Sequence, residues 1–532
     1  MRKNLPRLYA ICLALLVAAP SLAQTGAPPD LDAYVARALK EFEVPGLAIA
    51  IVKDGKVDLA KGYGVRKVGE PAPVDEQTLF GIASNTKAFT AAALAILVDE
   101  GKISWDDPVT KHLPDFQMYD PYVTREMTVR DLLTHRSGLG LGAGDLMFFP
   151  PTTFTREEIV ARLRYLKPAT SFRSKYAYDN ILYLVAGQVV AAVSGKSWDD
   201  FIKERIFAPL GMTASNTSVK ELRPGGNFIS PHQKVEGRLQ PVPFMNLDNT
   251  APAGAINSNV AEMAKWVIVQ LNEGAINNGL KESGQSGDRR LFSQRQSREM
   301  WSAQTPIAAG NPPAQLPALR ANFVAYGLGW SLTDYRGHKV VSHSGGLAGM
   351  VSRVRMIPDM NLGVVVLTNQ EAGGAMEALS YHIIDHFMNA PSSDWVSGFR
   401  AVAEQQVAQA KEAEQKQSVA RNTESKSSLP LAKYAGRYRD AWYGEVAIAL
   451  EADRLVLRFS HTPGLIGELE HWQYDTFVAR WRDRSLNADA FVTFALKPNG
   501  SIEQMKMVPV SPLTDFSFDF QDLLFTPVPS GP

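Results

Sequence analysis

From Phe89 to Val98 almost every residue is apolar; the run is entered through Gly81-Ile82-Ala83-Ser84-Asn85-Thr86-Lys87 and stops at Gly101. A helix that is apolar all round has no face to give to water and has to be buried. Any fold of this chain must therefore wrap other layers around that helix. Ser84 and Lys87 open it. At i and i+3 the hydroxyl and the amine share a face, at the end where free backbone N–H groups point outward. A nucleophile, a neighbouring base and donors for a developing oxyanion are what an activated serine needs. Chance alone places a Ser-x-x-Lys in a chain of this length roughly once or twice, so its weight comes from standing at the mouth of a buried helix.

A length of 532 residues suggests two to four domains. Hydrophobic and charged shares of 45% and 21% are those of a soluble globular protein. The 55 basic residues balance 55 acidic ones, which leaves no electrostatic footprint for nucleic acid. Arg2, Lys3 and Arg7 precede the apolar run 8–19, and Ser21-Leu22-Ala23 offers small residues where a signal peptidase reads. Residues 1–23 are read as a cleaved signal, which places the mature chain in the periplasm or outside the cell. The apolar run falls short of the roughly 20 residues of a span, and no later stretch is longer, so the mature chain is expected to have no transmembrane span. The single cysteine, Cys12, lies inside the signal, and the preceding Ile11 does not suit a lipoprotein signal. The mature chain then has no disulfide and no thiolate nucleophile or metal ligand.

Residues 30–42 have helical spacing, and Gly46 to Ile51 and Lys56 to Ala60 are short apolar runs joined by Asp54-Gly55, a hairpin signal. After the central helix a block of helices and loops runs to about Thr217, with Thr128 capping a helix to Leu133 and another helix from Ile181 to Val193 ending at Gly195. A further amphipathic helix covers Val260 to Leu271, and residues 272–325 are polar and irregular. Strand signals return at Tyr326 to Thr333, His338 to His343, Val351 to Ile357 and Leu362 to Thr368, and a helix from Ala375 to Phe387 closes the unit. Strands from both ends with helices between imply an α/β (α+β) fold, one antiparallel sheet flanked by helices plus a helical subdomain, over residues 30–390. Residues 391–429 suit an exposed helix and linker. Residues 430–532 carry short strands at Gly444 to Leu450, Arg454 to Phe459, Thr476 to Ala479, Ala490 to Leu496 and Ser501 to Met507, the pattern of a small all-β barrel.

Two more clusters stand out once Ser84 is suspected: Tyr178-Asp179-Asn180 just before a helix, and His343-Ser344-Gly345-Gly346 at the end of a strand. Each alone is common. In this order with Ser-x-x-Lys they resemble the three-motif pattern of penicillin-recognising serine hydrolases. Further stretches look like landmarks of the class C β-lactamase superfamily: Asp131 to Leu139, Tyr178 to Gly195, Phe207 to Met212, Pro252 to Gly254 and Tyr326 to Trp330. Residues 431–438 with Trp442-Tyr443-Gly444 are similar to the lipocalin-like tail of one branch.

The resemblance implies an acyl-enzyme on Ser84, with Lys87 and Tyr178 sharing proton transfer; which of them takes the serine proton stays open. It also implies an oxyanion hole from the N–H groups of Ser84 and Gly346, and a substrate amide held by Asn180, with His343, Ser344 and Gly345 on the same wall. Where β-lactamases and cell-wall carboxypeptidases usually carry Lys-Thr-Gly, this chain has His343-Ser344-Gly345. An unperturbed histidine is mostly neutral at pH 7 and offers no fixed charge to a substrate carboxylate. The histidine resembles the D-aminopeptidase branch and some esterases.

The leading expectation is an exported serine hydrolase, a peptidase or amidase of small or D-residue-containing peptides. A carboxylesterase, a class C-like β-lactamase and a catalytically silent ligand-binding protein remain alternatives. Asp179 places a carboxylate between Tyr178 and Asn180 and is read as facing solvent, with acceptance of a substrate ammonium as the alternative. His382 and His386 stand at i, i+4 without the flanking Glu of a zinc site, so neither metal nor cofactor is expected. The partner is a small molecule or peptide, and the oligomeric state is open.

Overall fold

The structure, a computed structural model, describes residues 26–276 and 289–529. The leader expected at residues 1–23 lies outside the described residues. Asp54 and Gly55 adopt φ of +51° and +76°, the left-handed pair that a type I′ hairpin needs. They join strand Gly46–Lys53 to Lys56–Gly64. The other side of Gly46–Lys53 pairs with Leu362–Thr368, Ile49 opposite Val366. The chain thus leaves the sheet after its second strand and returns to it some 240 residues later, at Thr305. Eight antiparallel strands follow the order Lys56–Gly64, Gly46–Lys53, Leu362–Thr368, Met350–Ile357, His338–Leu347, Ser331–Tyr335, Val324–Tyr326, Thr305–Ile307.

Alternation along the central strands sends side chains into two cores. Leu47, Ile49 and Ile51 meet helices Leu31–Glu41 and Gly373–Phe387, while Ala48, Ala50 and Val52 face the larger core. That larger core holds helix Thr86–Asp99, buried at every residue from Thr86 to Leu97. Phe89 stacks on Trp266 of helix Val260–Leu271 with ring centroids 3.9 Å apart. A second apolar helix, Ile181–Ser194, lies beside it and ends at Gly195, whose φ of +71° stops the helix. Each buried Leu, Ile or Phe here contributes about 1.5–3 kcal/mol, so the serine-bearing helix is anchored by its whole length.

Two local expectations are corrected. The helix expected from Thr128 is a single turn, Asp131–Leu133, because the fully buried Asp131 carboxylate accepts the Thr128 N–H and hydroxyl and binds Arg136 and Arg173, which turns the chain. The strand expected from Tyr326 to Thr333 is two strands, Val324–Tyr326 and Ser331–Tyr335, with Gly327 to Trp330 as the turn between them. A Cβ on Gly329 would sit 2.9 Å from the Lys87 carbonyl oxygen, so this turn packs on the serine helix and needs its glycine.

Residues 391–429 hold the 25-residue helix Trp395–Val419, mostly exposed. The eight-stranded antiparallel barrel beyond it is nearly closed: Thr526–Pro527 pairs with Gly436–Asp440, while Phe525 and Met505 exchange two backbone hydrogen bonds of 2.8 and 3.0 Å. Three of its strands escaped the sequence reading. Gly436–Asp440 and Ile466–Gln473 carry mostly charged or polar outward residues, with Arg437 and Arg439 pairing across the strands to Glu445, and Thr526–Pro527 is two residues long. Among the described residues no single helix is long and apolar enough to cross a membrane.

Candidate active site

The turn carrying Ser84 is held from several sides. Phe80–Gly81 pairs with Asn257–Ser258, Ile82 donates its N–H to the Ile256 carbonyl, and the Ser352 hydroxyl donates to the Ile82 carbonyl at 2.7 Å. Ala83 adopts φ of +49°, a left-handed conformation that costs an L-residue about 1–2 kcal/mol. Ser84 then sits in a short 3-10 turn, Ala83–Asn85, that runs into helix Thr86–Asp99. Gly345, grouped by sequence with the substrate-binding residues, packs against the serine turn. Its Cβ position lies 2.2 Å from the Ile82 carbonyl oxygen and 2.8 Å from the Ala83 Cβ, so the strand His338–Leu347 backs directly onto the serine turn.

Lys87 is fully buried and has three acceptors around Nζ: Ser84 Oγ at 2.9 Å, Asn180 Oδ1 at 2.7 Å and the Ala253 carbonyl at 2.9 Å. Burial lowers its pKa to about 7 against the pull of Asp145 and Asp179. Tyr178, three residues before helix Ile181–Ser194, lines the same cleft as Ser84, and its ring centroid lies 4.9 Å from Lys87 Nζ. Its burial drives its pKa well above 10, so it keeps its proton. Asn180 is the N-cap of the same helix and donates Nδ2–H to Asp145 Oδ2 at 2.8 Å. Ser84, Tyr178, Asn180, His343, Ser344 and Gly346 line one cleft of about 340 Å3.

His343 borders that cleft but keeps both nitrogens for the protein. Nδ1–H donates to the Ser344 carbonyl at 2.6 Å, so Nε2 is the acceptor of the Tyr326 hydroxyl at 2.9 Å. Burial, then the nearby Lys87 charge, holds its pKa well below 6.5. It is a neutral ring without a free donor. Asp179 does not face solvent as expected. It is fully buried, accepts the Ser137 hydroxyl at 3.1 Å and donates its N–H to His135 Nδ1 at 3.1 Å. The His135 ring packs among Tyr176, Tyr178, Tyr183 and Tyr326. His382 stacks on Tyr34 and contacts Asp30, remote from this cleft. Among the described residues no group of His, Cys, Asp or Glu is arranged to hold a metal ion.

The barrel also reaches the cleft, which spacing in the sequence gave no means of finding. Asp515, Phe516 and Ser517 complete its wall, Phe516 meeting the Tyr178 ring edge-on at 6.1 Å. Asp145 follows the glycine-rich Gly140 to Gly144, and nothing in that local pattern marks it as a site residue. Beside the cleft, sharing Phe149, Gly346, Leu347 and Asp515 with it, a groove of about 1020 Å3 opens between the barrel and the sheet-and-helix part of the chain. Phe244, Met245, Leu486, Leu513 and Phe518 make much of it apolar.

Residues 31–386 match the family model described as Beta-lactamase, and residues 420–527 match a domain of unknown function, DUF3471. The unguisins hydrolase ungD' of Aspergillus campestris is 30% identical over 453 residues, which is 81% of this chain and 80% of that protein. The structure of the octameric penicillin-binding protein homologue from Pyrococcus abyssi superposes with a TM-score of 0.59 at 23% identity, across 93% of this chain and 99% of that one. SurE superposes with a TM-score of 0.53 at 19% identity, across 94% and 99%; its structure with D-Leu gives 0.50 at 19%, across 94% and 98%. Identities this low speak for the fold.

Proposed function

Because the chain belongs to the beta-lactamase family, we propose that it is an exported serine hydrolase that forms an acyl-enzyme on Ser84 and acts on amides of small or D-residue-containing, largely apolar peptides. The observation that carries this reading is the environment of Lys87. A neutral amine has two N–H groups and one lone pair. Asn180 Oδ1 and the Ala253 carbonyl accept the two N–H groups, and the lone pair is left for the Ser84 hydroxyl 2.9 Å away. Lys87 then removes the Ser84 proton as Oγ attacks the carbonyl carbon. The oxyanion is received by the N–H groups of Ser84 and Gly346. Tyr178, kept protonated by burial, is the donor to the leaving nitrogen. The Lys87 ammonium then returns its proton to the Tyr178 oxygen; water attacks the acyl carbonyl carbon as Lys87 takes its proton, Tyr178 protonates Ser84 Oγ as the acid is released, and Lys87 again restores the Tyr178 proton.

Among the described residues the cleft has no lysine or arginine on its wall and has one carboxylate, Asp515. In the adjoining groove Arg480 and Arg484 are both paired with Asp489, at 2.7 and 2.6 Å. With His343 neutral and its nitrogens occupied, a substrate carboxylate finds no partner where a β-lactam or a carboxypeptidase substrate carries one. The relative is named a hydrolase, and the neighbour SurE was solved with D-Leu, which is in keeping with a D-residue in the substrate. Leader residues 1–23 support export.

The same cleft, without a lysine or arginine on its wall, favours a second reading, a carboxylesterase. Initial rates of the mature protein, with Ser84→Ala as blank, on a D-alanyl anilide, a peptide ending in D-Ala-D-Ala, a butyrate ester and a chromogenic cephalosporin separate them. The anilide should dominate. Dominance of the ester makes the protein an esterase, and fast cephalosporin loss or activity surviving in the blank rejects the proposal.

A further inference from the structure

We propose that the C-terminal barrel is part of the catalytic apparatus, with Ser517 and Asp519 as positioning residues that hold Asp145, which fixes the Asn180 amide so that the lone pair of Lys87 is left for Ser84. The proposal rests on the serine-hydrolase reading above.

The Ala253 carbonyl can only accept. Asn180 can present either its oxygen or its NH2, and the choice decides what Lys87 can do. With Oδ1 toward Nζ, both N–H groups of the neutral amine are committed and the lone pair points to Ser84. Rotated by half a turn, Asn180 would offer N–H to that lone pair, and Lys87 would lose it as a base. Asp145 decides the orientation: its Oδ2 accepts the Asn180 Nδ2–H at 2.8 Å. A carboxyl oxygen in that place serves as acceptor whether or not the other oxygen carries a proton.

Asp145 is in turn held by the barrel, across more than 370 residues of sequence. The Ser517 hydroxyl donates to the same Oδ2 at 2.9 Å. Asp519, fully buried, accepts the N–H groups of Gly144 at 2.6 Å and Leu146 at 3.1 Å, the residues on either side of Asp145. The loop is shaped for this contact. A Cβ on Gly142 would lie 2.8 Å from the Phe516 carbonyl oxygen and 2.7 Å from its ring, and Gly142 sits at φ of +68°. A contact that only glued the two parts together would not need to end on the amide that contacts the base.

The test uses the full-length protein and follows Ser84 labelling by a phosphonate probe together with kcat, KM and the pH profile. Ser517→Ala should lower kcat and the labelling rate about tenfold with KM nearly unchanged, and Ser517→Thr should restore both. Asp145→Asn, which lets the Asn180 amide turn, should lower kcat at least about a hundredfold. The acid limb should also move to lower pH, since a carboxyl group that favours the Lys87 ammonium is gone. Asp179, Tyr178, Tyr183, His135 and His343, which also surround Lys87, are unchanged in that variant. Two folded variants with wild-type kcat and an unmoved acid limb overturn the proposal, and so does a Ser517→Ala that loses only melting temperature. A wild-type protein that is not labelled at Ser84 instead overturns the hydrolase reading beneath it.

Discussion

Lys87 contacts Ser84 and Tyr178 shares its cleft, and burial moves the two in opposite directions: the amine toward its neutral form, the phenol toward its protonated form. The ambiguity that the sequence leaves between them is resolved in the proposed mechanism by this asymmetry, with Lys87 as base and Tyr178 as acid. Tyr178→Phe should therefore lower kcat by about a hundredfold or more while the acid limb of the rate profile stays where it is; steady-state kinetics across pH decide this. A limb that vanishes with the phenol would make tyrosine the base. At this scale Ser84, Lys87, Tyr178 and Asn180 were legible because helix spacing and chain order tie them to motifs. Asp145 and Ser517 were not, since their partnership is made by folding and no local spacing encodes it. Asp179 was misjudged because an isolated Asp is usually exposed, while here the Ser137 hydroxyl and the packing of His135 enclose it.

At the scale of elements, glycines mark where backbone must meet backbone. The strand His338–Leu347 presses on the serine turn at Gly345, and the loop before Asp145 admits the barrel at Gly142. Gly345→Val should force that strand off the Ile82 carbonyl, lower stability by about 1–3 kcal/mol and reduce kcat at least tenfold, measured by denaturant unfolding and initial rates on the same sample. Retained activity would mean that the strand does not set the position of Ser84. The apolar helices and the Asp54-Gly55 hairpin were legible because burial on all sides and left-handed turns leave strong composition signals. The Gly327 to Trp330 turn was missed because its flanking residues are apolar on both sides and read as one strand. The polar barrel strands Gly436–Asp440 and Ile466–Gln473 were missed because charge pairs across the surface hide the alternation.

For the whole molecule, the barrel is a wall of the cleft and of the groove beside it. If the groove receives the apolar part of the substrate, Leu513→Asp should raise KM for a long apolar peptide severalfold and leave kcat/KM for a short anilide within about twofold; equal effects on both, or none, would remove the groove from substrate binding. The sheet entered by both ends of the hydrolase domain was legible from strands at each end of a helical block, whereas the docking of the barrel against that domain was not, because no sequence pattern records a surface between distant segments. The central claim is that Ser84 is a nucleophile activated by a buried Lys87. It is tested most directly by intact-mass measurement of the full chain reacting with a phosphonate serine probe over a range of pH. One adduct is expected, mapped to Ser84 and absent in Ser84→Ala, with a labelling rate that rises through pH about 7 as Lys87 loses its proton. No adduct, an adduct on another residue, or a rate indifferent to pH would contradict it.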